Sequence, residues 1–312
     1  MSRTVLLTVH AERDDATKVA AAFGNDLRAA GVDVRVLDLD APPLAAAGLD
    51  QVEVVETTEG ASAGCELAVV FGGDGTILRA AEMCRGSDTP VLGVNLGHVG
   101  FLAEADVEDL QEVVRRVVDR SWTVEERLTI DVSVTVGGAL VAHTWALNEA
   151  AIEKTARARM LELVVEIDAR PVSRWAGDGV VCATPTGSTA YNFSAGGPVV
   201  WPEVNALLMV PLSAHALFAR PLVVSPDSTL AVEIAVAPAG AVMWCDGRRT
   251  VDLPVGARVE VVRGREPVRL ARLVEAPFAD RLVRKFDLPV EGWRGRPARQ
   301  SSPQQSPVQE PS

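Results

Sequence analysis

Leu67-Ala68-Val69-Val70-Phe71 runs without a polar side chain into Gly72-Gly73-Asp74-Gly75-Thr76, and this stretch decides the fold class. A short apolar run bounded by glycines reads as a strand buried on both faces, which belongs in a parallel sheet. The glycines turn the chain sharply into a helix expected over Thr76 to Met83. Ligands of open parallel sheets gather beyond the carboxyl ends of the strands, where strand hands over to helix. Gly72 and Gly73 let a phosphate approach the backbone without meeting a Cβ, and the helix N-terminus after Gly75 and Thr76 favours anions. Asp74 would repel such a ligand unless it has a task, such as holding Mg²⁺ or taking a proton from an attacking hydroxyl. On this segment alone a tight Asx-type turn capping a helix fits equally well. The chain has no G-x-x-x-x-G-K-[ST] and no G-x-G-x-x-G, so the two commonest nucleotide-binding loops are excluded.

On either side of this stretch, strand and helix alternate. Val5 to Val9 reads as a strand, Asp14 to Ala30 as an amphipathic helix ended by Gly31, and Val32 to Leu37 as a second strand. A Pro/Ala/Gly-rich linker is expected over Ala41 to Gly48, then a polar stretch to Gly64, and a further apolar strand over Val91 to Val94. This pattern predicts an α/β N-terminal domain over 1–121, with a Rossmann-like, doubly wound parallel sheet. From Trp122 the period changes: Ile130, Val132, Val134 and Val136 alternate with polar residues, and short strands recur to about Leu273. Residues 122–275 are therefore expected to form an all-β sandwich with mostly antiparallel pairing. Phe278 to Phe286 reads as one helix, with 276–295 returning to the first domain. The Pro/Gln/Ser-rich end, 296–312, reads as a disordered tail.

Bulk properties narrow the function classes. The chain has 312 residues, 48% hydrophobic and 23% charged, a globular composition. A net charge of −12 weighs against a groove for polymeric nucleic acid but leaves room for a small phosphorylated ligand. Four separated cysteines, Cys65, Cys84, Cys182 and Cys245, have neither zinc spacing nor a disulfide pattern, which points to reduced thiols and a cytoplasmic protein. There is no signal-peptide pattern and no apolar run long enough for a membrane span.

A second glycine-rich loop, Asn95-Leu96-Gly97-His98-Val99-Gly100-Phe101-Leu102, follows the strand at Val91, and Phe101 in it offers an aromatic face for a base or ribose. Further along stand Leu147-Asn148-Glu149, Gly177-Asp178-Gly179 and Thr184-Pro185-Thr186-Gly187-Ser188-Thr189-Ala190-Tyr191. Taken one at a time, Asn148-Glu149 fits an exposed strand end and Asp178 a hairpin turn. In this order, over about residues 1–295, the set resembles bacterial NAD kinase. Cys245-Asp246-Gly247-Arg248-Arg249 and Asp280 to Phe286 lean towards its actinobacterial members. The Gly-Gly-Asp-Gly-Thr piece by itself resembles the wider superfamily that includes diacylglycerol-type lipid kinases, and a lipid or sugar kinase is the rival enzyme. A non-catalytic NAD(P) sensor is the rival binding protein.

The resemblance implies transfer of a phosphoryl group from ATP or polyphosphate to the adenosine ribose 2′-hydroxyl of NAD, with Mg²⁺ and with Asp74 as general base. Gly72, Gly73, Gly75 and Thr76 match the loop for the phosphate donor. Asp74, Gly75, Phe101, Asn148, Glu149, Asp178, Thr186 and the loop Thr189, Ala190, Tyr191, Asn192, Phe193 and Ser194 match NAD-contacting positions. Arg79, Arg159 and Arg248 are the arginines expected near the two phosphates of NAD. His98 has no assigned role, and His215 reads as structural. No metal ligands are identified. The resemblance also implies a homodimer or homotetramer, while the acidic charge and the lack of a long apolar run leave nucleic acid and a membrane out of the expected partners.

Overall fold

The computed structural model describes residues 3–10, 13–95, 100–103, 105–106, 110–157, 159–274 and 277–290. The tail expected at 296–312, and His98, lie outside them. Residues 1–275 form one compact unit.

The first part alternates as its sequence requires. It runs β1 (Thr4–Val9), α1 (Asp14–Ala29), β2 (Asp33–Leu37), α2 (Ala41–Ala46), β3 (Glu53–Val55), β4 (Leu67–Phe71), α3 (Asp74–Met83), β5 (Val91–Asn95), β6 (Ala105–Asp106) and α4 (Leu110–Val118). Helix α1 carries Asp14 and Asp15 in its first turn and Arg28 in its last, each suited to the helix dipole there. It buries Ala16, Ala20, Phe23 and Leu27 at helical spacing, and the Phe23 ring lies 5.2 Å from that of Phe71 in β4. Strand β4 is buried at every position, as a strand covered on both faces must be.

The expected linker at 41–48 instead contains α2. Pro42 and Pro43 occupy its first turn, where a missing N–H costs nothing, and Gly48 follows its end at φ +93°. The polar stretch likewise holds β3, a short edge strand exposed along most of its length.

The chain continues through β7 (Thr123–Arg127), β8 (Ile130–Val136), β9 (Ala139–Ala146), β10 (Glu149–Lys154), β11 (Leu161–Ile167), β12 (Arg170–Gly177) and β13 (Gly179–Ala183). After a 3-10 turn over Thr186–Thr189 and the single turn α5 (Tyr191–Ser194) come β14 (Leu207–Leu212), β15 (Leu222–Val224), β16 (Leu230–Val236) and β17 (Ala241–Cys245). The last elements are β18 (Arg249–Leu253), β19 (Ala257–Arg263), β20 (Val268–Arg272) and α6 (Phe278–Phe286), the last in a separate unit.

Three sheets result. The first has the order β3-β2-β1-β4-β5-β20-β7, with β6 beside β5. The other two, β15-β14-β13-β10-β17-β18 and β12-β11-β16-β19-β8-β9, are antiparallel and share one core, in which Ile130, Val132 and Val134 of β8 join Ile152, Cys182 and Met243. The expected all-β stretch at 122–275 is thus not wholly a sandwich. Its first and last strands, β7 and β20, pair with each other and extend the first sheet. A buried cluster of Ile77, Leu102, Trp145, Leu147 and Leu270 continues from that sheet to the end of β9. The guanidinium groups of Arg85 and Arg249 lie over the Trp145 ring at 4.3 and 4.5 Å. Among the described residues no helix is long and apolar enough to cross a membrane.

Candidate active site

The first sheet reverses direction between β1 and β4: β1 leads outward to β2 and β3, whereas β4 leads the other way to β5. A doubly wound sheet opens a crevice at such a reversal, beyond the carboxyl ends of the two strands. A cleft of about 670 Å³ lies there, lined by His10, Arg13, Gly73, Gly75, Thr76, Arg79, Asp246, Gly247 and Arg248.

The turn out of β4 is tighter than its sequence implied. Helix α3 begins at Asp74, two residues before the expected start, because the N–H groups of Thr76 and Ile77 already donate to the Gly73 carbonyl. A Cβ at Gly72 would stand 2.4 Å from Thr76 Oγ1, so only glycine admits this close return of the chain. A Cβ at Gly73 or Gly75 would meet no protein atom, leaving the backbone bare towards open space. The Asp74 carboxylate accepts hydrogen bonds from the backbone N–H of Phe101 (3.1 Å to Oδ2) and of Leu102 (3.1 Å to Oδ1). Gly100 makes this approach possible, since a Cβ there would lie 2.4 Å from Asp74 Oδ1. Phe101 is itself buried, and its N–H serves the carboxylate.

Asn148 and Glu149 are buried, not an exposed strand end. Asp246 holds them in place from the turn between β17 and β18, where it adopts φ +53°. Its carboxylate accepts the backbone N–H of Leu147 (2.9 Å), Asn148 (2.7 Å) and Glu149 (3.3 Å), and pairs with Arg249 at 2.9 Å. Burial pushes the Asp246 carboxyl above its ordinary range against the pull of these donors. Glu149 is pushed up to about 8, first by burial and then by the neighbouring Asp246 charge, while the Tyr191 N–H opposes the shift. Its Oε2 is buried without a hydrogen-bond partner. The Cys245-Asp246-Gly247-Arg248-Arg249 stretch assigns Asp246 no role by sequence; its role comes from these long-range partners.

The Thr184 to Ser194 segment folds onto the same strand end. The Thr184 hydroxyl donates to the Leu147 carbonyl and accepts from Gly187 N–H, and a Cβ at Gly187 would lie 2.0 Å from the Asn148 carbonyl oxygen. Thr186 and Ser188 are buried. Thr189 hydrogen-bonds back to the Thr186 carbonyl at 3.4 Å. Tyr191 is half exposed and its hydroxyl donates to Glu153. Asn192 turns inward: fully buried, its amide donates to the Ser188 and Pro198 carbonyls and packs against Gly197. Its amide nitrogen therefore braces the loop from within, alongside the backbone hydrogen bonds of the turn. Ala190 and Ser194 flank this turn, and Phe193 is exposed.

Asp178 is not in a hairpin. It sits where the chain crosses from one antiparallel sheet to the other, between β12 and β13, with Gly177 and Gly179 too close to neighbouring backbone for a side chain. Lys154 hydrogen-bonds and pairs with it, holding its carboxyl below the usual range. The arginines divide. Arg79 lines the cleft but is engaged by buried Asp40 (2.8 and 2.9 Å) and by the Val9 carbonyl (2.7 Å). Arg248 also lines the cleft and pairs with Glu82 of α3 at 3.1 Å. Arg159 is exposed and does not line the cleft.

This geometry, a carboxylate fixed by backbone amides beside a bare glycine turn, occurs in a chain whose relatives are well known. The family model described as the ATP-NAD kinase N-terminal domain matches residues 9–122, and that of the ATP-NAD kinase C-terminal domain matches residues 147–273. The chain is 59% identical to the NAD kinase of Thermobifida fusca, covering 96% of this chain and 94% of the relative. It is 60% identical to NAD kinase 2 of Streptomyces avermitilis, covering 95% and 98%. Among solved structures it superposes on an NAD kinase from Archaeoglobus fulgidus in complex with ATP, with TM-score 0.67, 26% identity, and coverage of 91% and 97%. The yeast NADH kinase complexed with NADH shares the fold, with TM-score 0.82 at 24% identity and coverage of 92% and 88%. By sequence along nearly its whole length, and by fold, the chain belongs to the ATP-NAD kinase family.

Proposed function

We propose that this protein transfers the terminal phosphoryl group of ATP or of polyphosphate to the 2′-hydroxyl of the adenosine ribose of NAD, forming NADP. The observation that carries this reading is the Asp74 carboxylate, held by the Phe101 and Leu102 amides at the start of the helix whose glycine turn borders the cleft. A ribose hydroxyl is a weak nucleophile at neutral pH, and a positioned carboxylate removes its proton as the bond to phosphorus forms. The bond between the transferred phosphorus and the donor's bridging oxygen breaks as it does so, and the leaving phosphate chain departs with the electron pair.

In this reading the bare backbone of Gly73 and Gly75, with Thr76, receives the donor's phosphates. Asn148, Glu149, Asp178, Thr186 and the loop through Tyr191 contact NAD. Glu149, protonated at neutral pH, presents its buried Oε2 as a donor to an acceptor on the ligand. Mg²⁺ bound with the donor would supply charge neutralisation on its phosphates. A cytoplasmic setting fits the four buried, unbridged cysteines. A homodimer or homotetramer through the β-rich part fits the exposed Phe193, Trp201 and Phe218.

The test is incubation of the purified protein with NAD, Mg²⁺ and either ATP or polyphosphate, followed by measurement of NADP. Formation of NADP supports the reading. No NADP with either donor overturns it.

A further inference from the structure

Glu82 lies in the last turn of α3, about 12 Å along the helix from Asp74 at 1.5 Å per residue. Leu78 precedes it by one turn on the same face and lines the cleft, as do Asp246, Gly247 and Arg248 of the turn between β17 and β18. That face of α3 and that turn are two walls of one crevice, and Glu82 joins them. Its Oε1 accepts from Arg248 Nε at 3.1 Å and its Oε2 from Arg248 Nη2 at 3.3 Å, while Arg249 Nη1 stands 3.3 Å from Oε1.

Arg249 carries the connection onward. Its Nη2 pairs with Asp246 and donates to the Trp145 carbonyl, both at 2.9 Å, and its guanidinium covers the Trp145 ring. Asp246 in turn holds the amides of Leu147, Asn148 and Glu149. A second link runs beside the first, because Arg85, just beyond α3, lies over the same Trp145 ring at 4.3 Å. The helix that begins at the proposed base is thus tied at its far end to the strand end carrying two proposed NAD contacts.

This is not an ordinary surface ion pair. The Glu82 side chain is only 16% exposed, so solvent and salt screen its charge weakly. Glu82 meets two guanidinium groups and Arg249 meets two carboxylates, and a network of charges contributes where an isolated exposed pair does not. Apolar packing of Ile77 and Leu78 with Trp145 and Leu147 brings α3 and the strand end together, but such packing has no directional preference. The ion pairs supply the direction. Proton removal needs the acceptor hydroxyl within hydrogen-bond reach of Asp74, and a displacement of about 1 Å near reacting atoms costs about 100-fold in rate.

We propose that Glu82 and Arg249 are positioning residues of the transfer: their ion pair clasps α3 to the β17–β18 turn and fixes the spacing between the Asp74 carboxylate and NAD held at Asn148 and Glu149. Neither side chain lines the cleft. Glu82 acts through α3, and Arg249 acts through Asp246.

The inference rests on the kinase reading above, and the experiment separates the two. For wild type, Glu82→Ala, Glu82→Gln, Arg249→Lys and the Glu82→Ala/Arg249→Lys double variant, kcat is read from NADP formation well below each Tm. NAD affinity of the Glu82 variants is measured by calorimetry. Glu82→Ala should lower kcat at least about tenfold. Its NAD affinity should stay within about threefold of wild type, because Arg249 still holds Asp246. Glu82→Gln keeps an oxygen for the arginine N–H groups without the charge, and should recover part of the rate. A lysine cannot reach Glu82, Asp246 and the Trp145 carbonyl together, so Arg249→Lys should also lose rate. The double variant should lose less than the product of the single losses, since both act through one pair.

A lowered Tm with unchanged kcat overturns the clasp, as do NAD affinity that falls in step with kcat and single losses that multiply. A wild-type protein that makes no NADP overturns the kinase reading. Amide hydrogen exchange then decides the clasp: in Glu82→Ala it should be about tenfold faster in both α3 and the β17–β18 turn, and unchanged exchange in either overturns it. If Glu82→Ala fails to fold, as judged by thermal melting, Glu82→Gln decides by a loss in kcat of about threefold or more.

Discussion

Asp246 Oδ1 accepts the backbone N–H of Asn148 at 2.7 Å, although the two residues are 98 positions apart in the chain. The same carboxylate also serves Leu147 and Glu149, so one buried side chain fixes the backbone of the strand end that carries two proposed NAD contacts. Asp246→Asn places an amide donor against the Leu147 N–H or the Arg249 guanidinium. The cost of that unmatched contact is about 1–3 kcal/mol. Thermal unfolding should show a lower Tm, and NAD affinity should fall with it. An unchanged Tm and unchanged NAD affinity would contradict this role.

Gly100→Ala tests the placement of the proposed base without substituting it. The new Cβ would lie 2.4 Å from Asp74 Oδ1, so the carboxylate must shift away from the Phe101 and Leu102 amides. A misplacement of this size near reacting atoms costs about 100-fold in rate. We expect kcat to fall by at least tenfold on that scale, with NAD binding retained. Full activity in the alanine variant would show that the carboxylate's position is not critical.

Glu149 should make stability depend on pH with a defined sign. Its carboxyl titrates at about 8 in the folded protein, above the value of about 4.5 expected when unfolded. Between these values the folded state holds the extra proton, so Glu149 contributes stability below the lower pKa that is lost as pH rises through the upper one. Glu149→Gln lacks this proton. The stability of wild type relative to Glu149→Gln should therefore decline from pH 5 to pH 8.5, read by chemical unfolding at each pH. A flat difference would sink the assignment.

Arg79 and Asp40 form a largely buried pair, with Asp40 fully buried. Arg79→Ala leaves that carboxylate, among the described residues, with the Val9 N–H as its remaining partner. Removing one member of a buried pair costs about 3 kcal/mol. Urea unfolding should show this loss, and Asp40→Asn added to Arg79→Ala should recover part of it. A loss below about 0.5 kcal/mol, the scale of an exposed pair, would contradict the buried arrangement.

The strands and helices that form the crevice were legible because their signals are local. The apolar run Leu67–Phe71 is a strand at the residues its sequence indicates, and the glycines after it do turn into a helix. The helix at Phe278–Phe286 also falls where its periodicity places it. Helix α2 escaped notice because Pro42 and Pro43 read as breakers, although in a first turn they start a helix. Strands β7 and β20 read as part of the β-rich stretch because a strand's own pattern does not name the sheet it joins. For the same reason Asp40 and Asp246 were silent in sequence: each acts through a partner far along the chain. Asn192 was legible as part of the loop but not in orientation, since burial of its amide follows from Gly197 and Pro198 folding back on it.

The central claim is that Asp74 removes the proton from the acceptor hydroxyl, and Asp74→Asn tests it most directly. An asparagine of the same shape retains one acceptor for the Phe101 or Leu102 N–H but cannot take the proton at neutral pH. Single-turnover formation of NADP, with NAD binding measured alongside by calorimetry, separates chemistry from binding. The account predicts NAD affinity within about threefold of wild type and a rate lower by about 10²–10⁴-fold, the range of a positioned general base. A single-turnover rate close to that of wild type would contradict it.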